Sequence, residues 1–398
     1  MRILFLSSIF PRPYAPARGI YCRHICQCLA EQDDVTVISS RSWPEALKHR
    51  RIDAPRDPSG CYLIDGLRTT YPTYYYPPKV WRAAYAKFMW ASVRRHVVDH
   101  LSRHRPDAVL SYWAHPDGEV AARAAELVGA PSAVIIGGSD VLLLGKERRR
   151  QAAVVNALRR VDAVLAVSQD LRRNLLQLGI DDSKIHVVYT GVDPNLFCAG
   201  DRAEARRRLG IALDQKAILY VGNLIPLKGL RVLLDALNKI GNASPNVHAY
   251  IVGNGPERPV LEQRAAQLGL SARIHFCGSL RHEQLPDYYR AADVTVLASR
   301  SEGIPNVLRE SLACGTPFVA TRVGGIPEIS TSSANRLVNV DDPDELAAAL
   351  SHTIGESFLS RRVVEPAPTW HDTASDCREI FAELISRRRH APPKSCAA

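Results

Sequence analysis

The chain has 398 residues, 46% hydrophobic and 23% charged, a globular composition that excludes wholesale disorder and implies two or three domains at about 150 residues each. No apolar run reaches the roughly 18 residues of a membrane-spanning helix. Nine cysteines with no C-x-x-C pair exclude a disulfide scaffold and the common zinc-ribbon and thioredoxin patterns. The net charge of +10 is uneven: residues 1–200 hold 27 Lys+Arg against 19 Asp+Glu, and the remainder is close to balanced. That bias suggests an anionic partner for the first half, a membrane surface or a phosphorylated substrate. Nucleic acid is not indicated, because the basic residues are not interleaved with aromatics in any recognisable module.

Met1-Arg2, Ile3–Leu6 and Ala15-Pro16-Ala17 have the outline of a short signal peptide. The apolar stretch is only about eight residues and is broken by Ser7-Ser8 and Pro11. It is read as a buried first strand, a loop and a helix from Gly19 to Ala30. Cys22, Cys26 and Cys28 fall on that helix without a histidine partner set and read as buried, reduced thiols, which fits a reducing cytosol. Further strands follow at Val35–Ser39, Ala108–Ser111, Ser132–Ile136, Ala163–Val167 and Ile185–Val188. Residues 40–78, rich in Pro and Tyr, read as an irregular insertion, and Lys79 to His104 as a long, basic, partly aromatic helix.

Gly191-Val192-Asp193-Pro194 is turn chemistry, and Arg202–Arg208 reads as a charged, solvent-facing helix, so a domain boundary belongs near residues 191–215. A second strand series runs Ile218–Val221, Ala249–Val252, Arg273–Phe276, Val294–Leu297 and Phe318–Ala320. Strands alternating with helices in two series imply two parallel sheets, each covered on both faces: an α/β, double Rossmann-like architecture. Arg387-Arg388-Arg389 and the following Pro392-Pro393 read as a frayed tail.

The chemistry concentrates at strand ends of the second half. Glu302-Gly303-Ile304-Pro305-Asn306 follows the strand at 294–297, where ligands bind in open α/β sheets. Glu310 lies about five residues into the next helix, roughly 7–8 Å along its axis. Two carboxylates so placed suit vicinal hydroxyls of a sugar and of a ribose. Lys228, at a helix start after Val221-Gly222-Asn223, suits a diphosphate. Two more strand ends carry Val252-Gly253-Asn254-Gly255-Pro256 and Phe276-Cys277-Gly278-Ser279-Leu280.

This ordered set, with Lys228-Gly229, Glu302 to Glu310, Ala313-Cys314-Gly315-Thr316-Pro317 and Val323-Gly324-Gly325-Ile326-Pro327-Glu328, resembles the family 4 (group 1) retaining glycosyltransferases of the GT-B fold. The resemblance covers nearly the whole chain. It implies two Rossmann-like parallel-sheet domains facing across a cleft: residues 1–195 on the acceptor side, and 196–369 binding the nucleotide-sugar. A terminal helix of about 370–388, begun by Trp370, would pack back on the first domain. It further implies a metal-independent hexosyltransferase that moves a sugar from a UDP- or GDP-sugar to a saccharide or lipid-linked acceptor hydroxyl. The setting would be cell-surface polysaccharide or glycolipid biosynthesis. The donor is a substrate, so no cofactor is expected, and no metal, since Lys228 and helix termini meet the diphosphate charge.

By the same resemblance Glu310 would bind the ribose, Glu302 the donor sugar and Lys228 the diphosphate. Leu280 would lie near the base, and Gly255 and Asn223 at neighbouring strand ends. Backbone N–H groups of Ile304, Asn306 and Val307 would cradle diphosphate and sugar, and the Gly19 loop would cap the phosphates. Two departures stand out. Asn223 replaces an Arg that most relatives carry. The expected His before Gly-Ser-Asp is missing from Gly137-Gly138-Ser139-Asp140, which leaves His115 and Asp140 as alternative acceptor-side groups. An inactive binding subunit of a polysaccharide-synthesis complex and a sugar-nucleotide 2-epimerase are the competing readings. The expected location is the cytoplasm, peripheral at the inner face of the membrane, with the basic helix at 79–104 and its Trp81, Tyr85, Phe88, Met89 and Trp90 as the contact.

Overall fold

The computed structural model describes residues 1–16, 18–142, 147–241, 246–356 and 367–390. Two units emerge, the first formed by residues 1–190 with the terminal segment from Trp370, the second by Gly191–Thr369. The division thus falls at 190/191, five residues before the expected 195/196, because Val192 is already bonded to Pro368 and Thr369 of the second unit.

The first unit is built on β1 (Arg2–Leu6), β2 (Asp34–Ile38), β3 (Tyr62–Ile64), β4 (Leu67–Thr70), β5 (Ala108–Tyr112), β6 (Ser132–Ile136), β7 (Ala163–Ala166) and β8 (Ile185–Val187). They form one sheet in the order β8-β7-β6-β5-β1-β2-β4-β3, parallel except for the edge hairpin β3–β4. That hairpin belongs to the segment expected to be irregular. Its strands are only three and four residues long, too short for a periodicity to reveal them. The inner strands are buried on both faces, as helix-covered parallel strands are. Helix α1 (Ile20–Ala30) buries Cys22, Ile25, Cys26, Cys28 and Leu29. Burial pushes the Cys22 and Cys26 thiols well up. The eight cysteines among the described residues form no disulfide with one another.

Helix α2 (Tyr85–Arg103) turns Ala86, Met89, Val93, Val97 and Leu101 inward. The terminal helix, Trp370–His390, packs Ala374, Cys377 and Phe381 into the core of this unit. Arg387–Arg389 belong to this helix rather than to a frayed tail, with Arg388 bonded to both carboxylate oxygens of Asp162 at 2.8 Å. Pro392-Pro393 lie outside the described residues.

The second unit starts with α3 (Arg202–Leu209) and carries β9 (Lys216–Val221), β10 (Val247–Val252), β11 (Ile274–Gly278), β12 (Val294–Leu297), β13 (Phe318–Thr321) and β14 (Arg336–Val338). All are parallel, in the order β11-β10-β9-β12-β13-β14. The order reverses between β9 and β12, which opens a crevice at their carboxyl ends. One expectation fails. Helix α3 is not wholly solvent-facing, because Arg206 is fully buried. Its guanidinium donates to the carbonyls of Ala212, Leu213, Gln215 and Ala291 and to Asp293 at 2.7–3.0 Å.

Candidate functional site

In the second unit, the loops after β9 and β12 meet at the reversal point. Lys228 ends a single tight turn, Pro226–Lys228, and Gly229 follows with φ 67°. A Cβ on Gly229 would lie 1.9 Å from the carbonyl oxygen of Ala298, so only glycine allows the two loop backbones to touch. The Arg300 amide donates to the Leu227 carbonyl at 2.9 Å and fixes the register. Lys228 Nζ thereby reaches Glu302 Oε1 at 2.6 Å, with the two side chains 21% and 10% exposed. Behind Glu302, the Gly325 amide donates to the Gly303 carbonyl at 2.7 Å, so the loop after β13 supports the acid from below.

Helix α4 (Asn306–Ala313) begins just after Pro305, whose carbonyl accepts from the Leu308 amide at 3.1 Å, so its amino end lies at the crevice. Glu310, one turn further, is buried. Tyr289 donates its hydroxyl to Oε2 at 2.8 Å, and His282 Nε2 stands 3.0 Å from Oε1. Phe197 packs edge-on against both rings, with centroids 4.8 and 5.9 Å away. Burial and the Glu310 charge push the Tyr289 phenol well up, so it stays a donor. His282 and Tyr289 were not anticipated from sequence. Both sit on the Leu280–Ala291 connection, which is placed by tertiary packing against α3, α4 and Phe197 rather than by a sequence motif.

Around this pair, Ile304 is buried, Asn306 and Val307 are half-buried, and Leu280 packs half-buried against the cluster containing Val192 and Phe197. Asn223 is exposed and its carbonyl accepts from Tyr220 Oη at 3.0 Å. Gly255 lies in the turn after β10, its amide donating to Asn254 Oδ1 at 2.9 Å. Lys228, the amino end of α4 and the carboxylates of Glu302 and Glu310 therefore line the crevice. This set is suited to an anion flanked by hydroxyls.

In the first unit the reversal point lies between β1 and β5. Gly19 caps α1 in the left-handed region, φ 61°, with the backbone of Ile9 pressed against it. Asp117, in the loop after β5, accepts from the Ser8 amide at 3.0 Å and the Ser8 hydroxyl at 2.8 Å. Burial outweighs those bonds and pushes its carboxyl up to about 7. Asp140 accepts from the amides of Gly138 at 2.9 Å and Ala114 at 3.2 Å, which ties the loop after β6 to the loop after β5. Burial pushes it up to about 6. His115, only 3% exposed, sits on an irregular turn, and its Nε2 has no hydrogen-bond partner among the described residues. Burial lowers its pKa and keeps it neutral. Asp117 was overlooked in the sequence, although its place at a strand end is the signal that singled out Glu302.

Two such sheets, the second with a lysine and two acids at its reversal point, define the class of GT-B glycosyltransferases. Solved structures of this class match almost end to end. Sucrose-phosphate synthase of Thermosynechococcus elongatus aligns with TM-score 0.75 at 20% identity, over 97% of this chain and 99% of that one. HepE of Anabaena, solved in complex with UDP, aligns with TM-score 0.70 at 22% identity, over 98% of both chains. The chain belongs to the group 1 glycosyltransferases: the family model "Glycosyl transferases group 1" matches residues 201–370, and "Glycosyltransferase Family 4" matches residues 19–196. TuaC of Bacillus subtilis, named for a teichuronic acid biosynthesis glycosyltransferase, is 28% identical over 92% of both sequences. A D-inositol 3-phosphate glycosyltransferase of Geodermatophilus obscurus is 35% identical over 67% of this chain and 57% of its own length.

Proposed function

We propose that this glycosyltransferase is a retaining, metal-independent hexosyltransferase that uses a nucleoside-diphosphate sugar. The observation that carries the reading is the convergence of Lys228, Glu302 and Glu310 at one reversal point. Lys228 would leave Glu302 for the donor diphosphate, and the amides of Ile304, Asn306 and Val307 would share the remaining charge. Glu302 would then accept from hydroxyls of the sugar and Glu310 from those of the ribose. The bond from the anomeric carbon to the diphosphate oxygen breaks. The acceptor oxygen bonds to the same face of that carbon, and its proton passes to the departing phosphate oxygen. His115, Asp140 and Gly19 are proposed to serve on the acceptor and phosphate side.

UDP-sugars are the first donors to try, because HepE has been solved with UDP and with UDP-glucose. A saccharide or lipid-linked acceptor in polysaccharide or glycolipid assembly accords with the name that TuaC carries. Contact with an anionic membrane surface accords with the basic first half. The decisive experiment is a thermal-shift screen with UDP, GDP, ADP and their sugar conjugates, followed by turnover in excess EDTA with NMR of the product anomer. A retained configuration at an undiminished rate is expected. Inversion, an absolute metal requirement or release of a 2-epimer would overturn the reading.

A further inference from the structure

The sequence places Cys28 among thiols without a histidine partner set, but the fold brings a distant histidine to it. Cys28 and Glu31 stand three residues apart at the end of α1 and so share a face. His371, 340 residues beyond Glu31, is the second residue of the terminal helix. Its Nε2 stands 3.0 and 3.1 Å from the two carboxylate oxygens of Glu31. Cys28 Sγ, a Glu31 oxygen and a His371 ring nitrogen all lie within 4.8 Å of one another. Two neighbouring contacts hold this juncture. Trp370 stacks on His24, one turn earlier in α1, with centroids 5.4 Å apart and planes 13° apart. Arg378 donates to the Cys28 carbonyl at 3.0 Å and to Asp33 at 2.9 Å.

We propose that Cys28, Glu31 and His371 form a zinc-binding site that clamps the start of the terminal helix to the end of α1. Ligands around a tetrahedral zinc lie about 3.3–3.6 Å apart, given bonds of about 2.0–2.3 Å. The three groups, within 4.8 Å of one another, need to close by no more than about 1.5 Å to reach that spacing. A thiolate and a carboxylate balance the 2+ charge. Sulfur and imidazole ligands select zinc over magnesium and calcium, which take oxygen. Glu31 and His371 are exposed, so water fills the fourth position. Binding deprotonates Cys28 and replaces the direct bond between His371 and Glu31. The site lies within the first unit and is independent of the donor-site reading.

The test uses the full-length protein without a histidine tag, stripped with chelator and dialysed. Zinc titrated calorimetrically should bind with one-to-one stoichiometry and raise the melting temperature, whereas magnesium at the same concentration should not. Cobalt should give a near-ultraviolet thiolate charge-transfer band. Cys28→Ser and His371→Ala should each weaken zinc binding by about tenfold or more, since loss of mere outer partners already costs that much. His371→Ala removes an exposed side chain, and circular dichroism of that variant establishes that the fold persists. Absence of saturable zinc binding, or undiminished binding in the Cys28→Ser/His371→Ala double variant, would overturn the proposal.

Discussion

Lys228 and Glu302 illustrate how a residue can be both partner and competitor. Their 2.6 Å contact neutralises two charges that a donor must separate, so ligand must supply the replacement interactions. Lys228→Ala and Glu310→Gln should each weaken nucleotide affinity by roughly 10–100-fold, the loss of about 1.5–3 kcal/mol expected for a charged hydrogen bond. Glu302→Gln should chiefly lower turnover. Calorimetric titration with the bare nucleotide separates the cases, and unchanged affinity in both Lys228 and Glu310 variants would defeat the assignment. Asp117 provides a residue-scale test in the other unit. Its folded pKa of about 7 lies above that of an ordinary aspartate, so the folded state holds the proton more tightly than the unfolded chain. Stability from this group is complete below about pH 4 and is lost as pH rises through 7, and Asp140, held up at about 6, acts in the same direction. Denaturant unfolding at a series of pH values should show stability falling between pH 4 and 7. The slope should be shallower in Asp117→Asn, and an identical slope would remove Asp117 as the cause.

Elements are held at the ends of strands away from the crevices by one recurring device. Asp107 accepts from the first amide of β1 at 2.8 Å, Asp162 from the first amide of β6 at 2.8 Å, and Asp293 from Ala217 of β9 at 2.7 Å. In the second unit this acid also receives Arg202 and Arg206, which seats α3 beneath the sheet. Arg206→Ala would remove a donor from five acceptors, of which Asp293 keeps Arg202 and the Ala217 amide, and should cost about 3–5 kcal/mol, read as a fall in denaturant midpoint. Arg206→Lys should not recover it, because an ammonium cannot span that fan of carbonyls. A loss below 1 kcal/mol would show that α3 contributes little to the unit. The strands and the alternation that yields two sheets are legible in the sequence because buried parallel strands read as short β-branched runs. Arg206 is illegible for the converse reason: among the arginines of α3, composition does not reveal which one turns inward. His371 is illegible because its partners are 340 residues away. At the crevice, Lys228, Glu302 and Glu310 were legible as motif residues at strand ends, whereas Tyr289 and His282 depend on packing between elements.

At the scale of the molecule, the charge excess of the first 200 residues acquires a location. The inner face of α2 is committed to the core, and Trp90 packs partly against it, so this helix does not offer all its aromatics to a partner. The entry to the helix does. Trp81 is 72% exposed, Val80 51% and nearby Tyr75 65%. Trp81 stacks on Phe88 at 6.4 Å, and Lys79, Arg82, Lys87, Arg94 and Arg95 are exposed beside or beyond it. An aromatic tip with a basic flank suits a headgroup interface, where each nearby cation contributes about 1 kcal/mol toward anionic lipid. No helix of the described residues is long and apolar enough to cross a membrane. Co-sedimentation with vesicles containing anionic lipid should occur at low salt and fade as ionic strength rises, because the Debye length shortens. Gln at Arg82, Lys87, Arg94 and Arg95 should reduce it at every salt concentration. Trp81→Ser should reduce the component that survives at high salt, since burial of the indole does not depend on screening. Neutral vesicles should bind little. Failure to sediment with anionic vesicles at low salt would assign the charge excess to the substrate rather than to a surface.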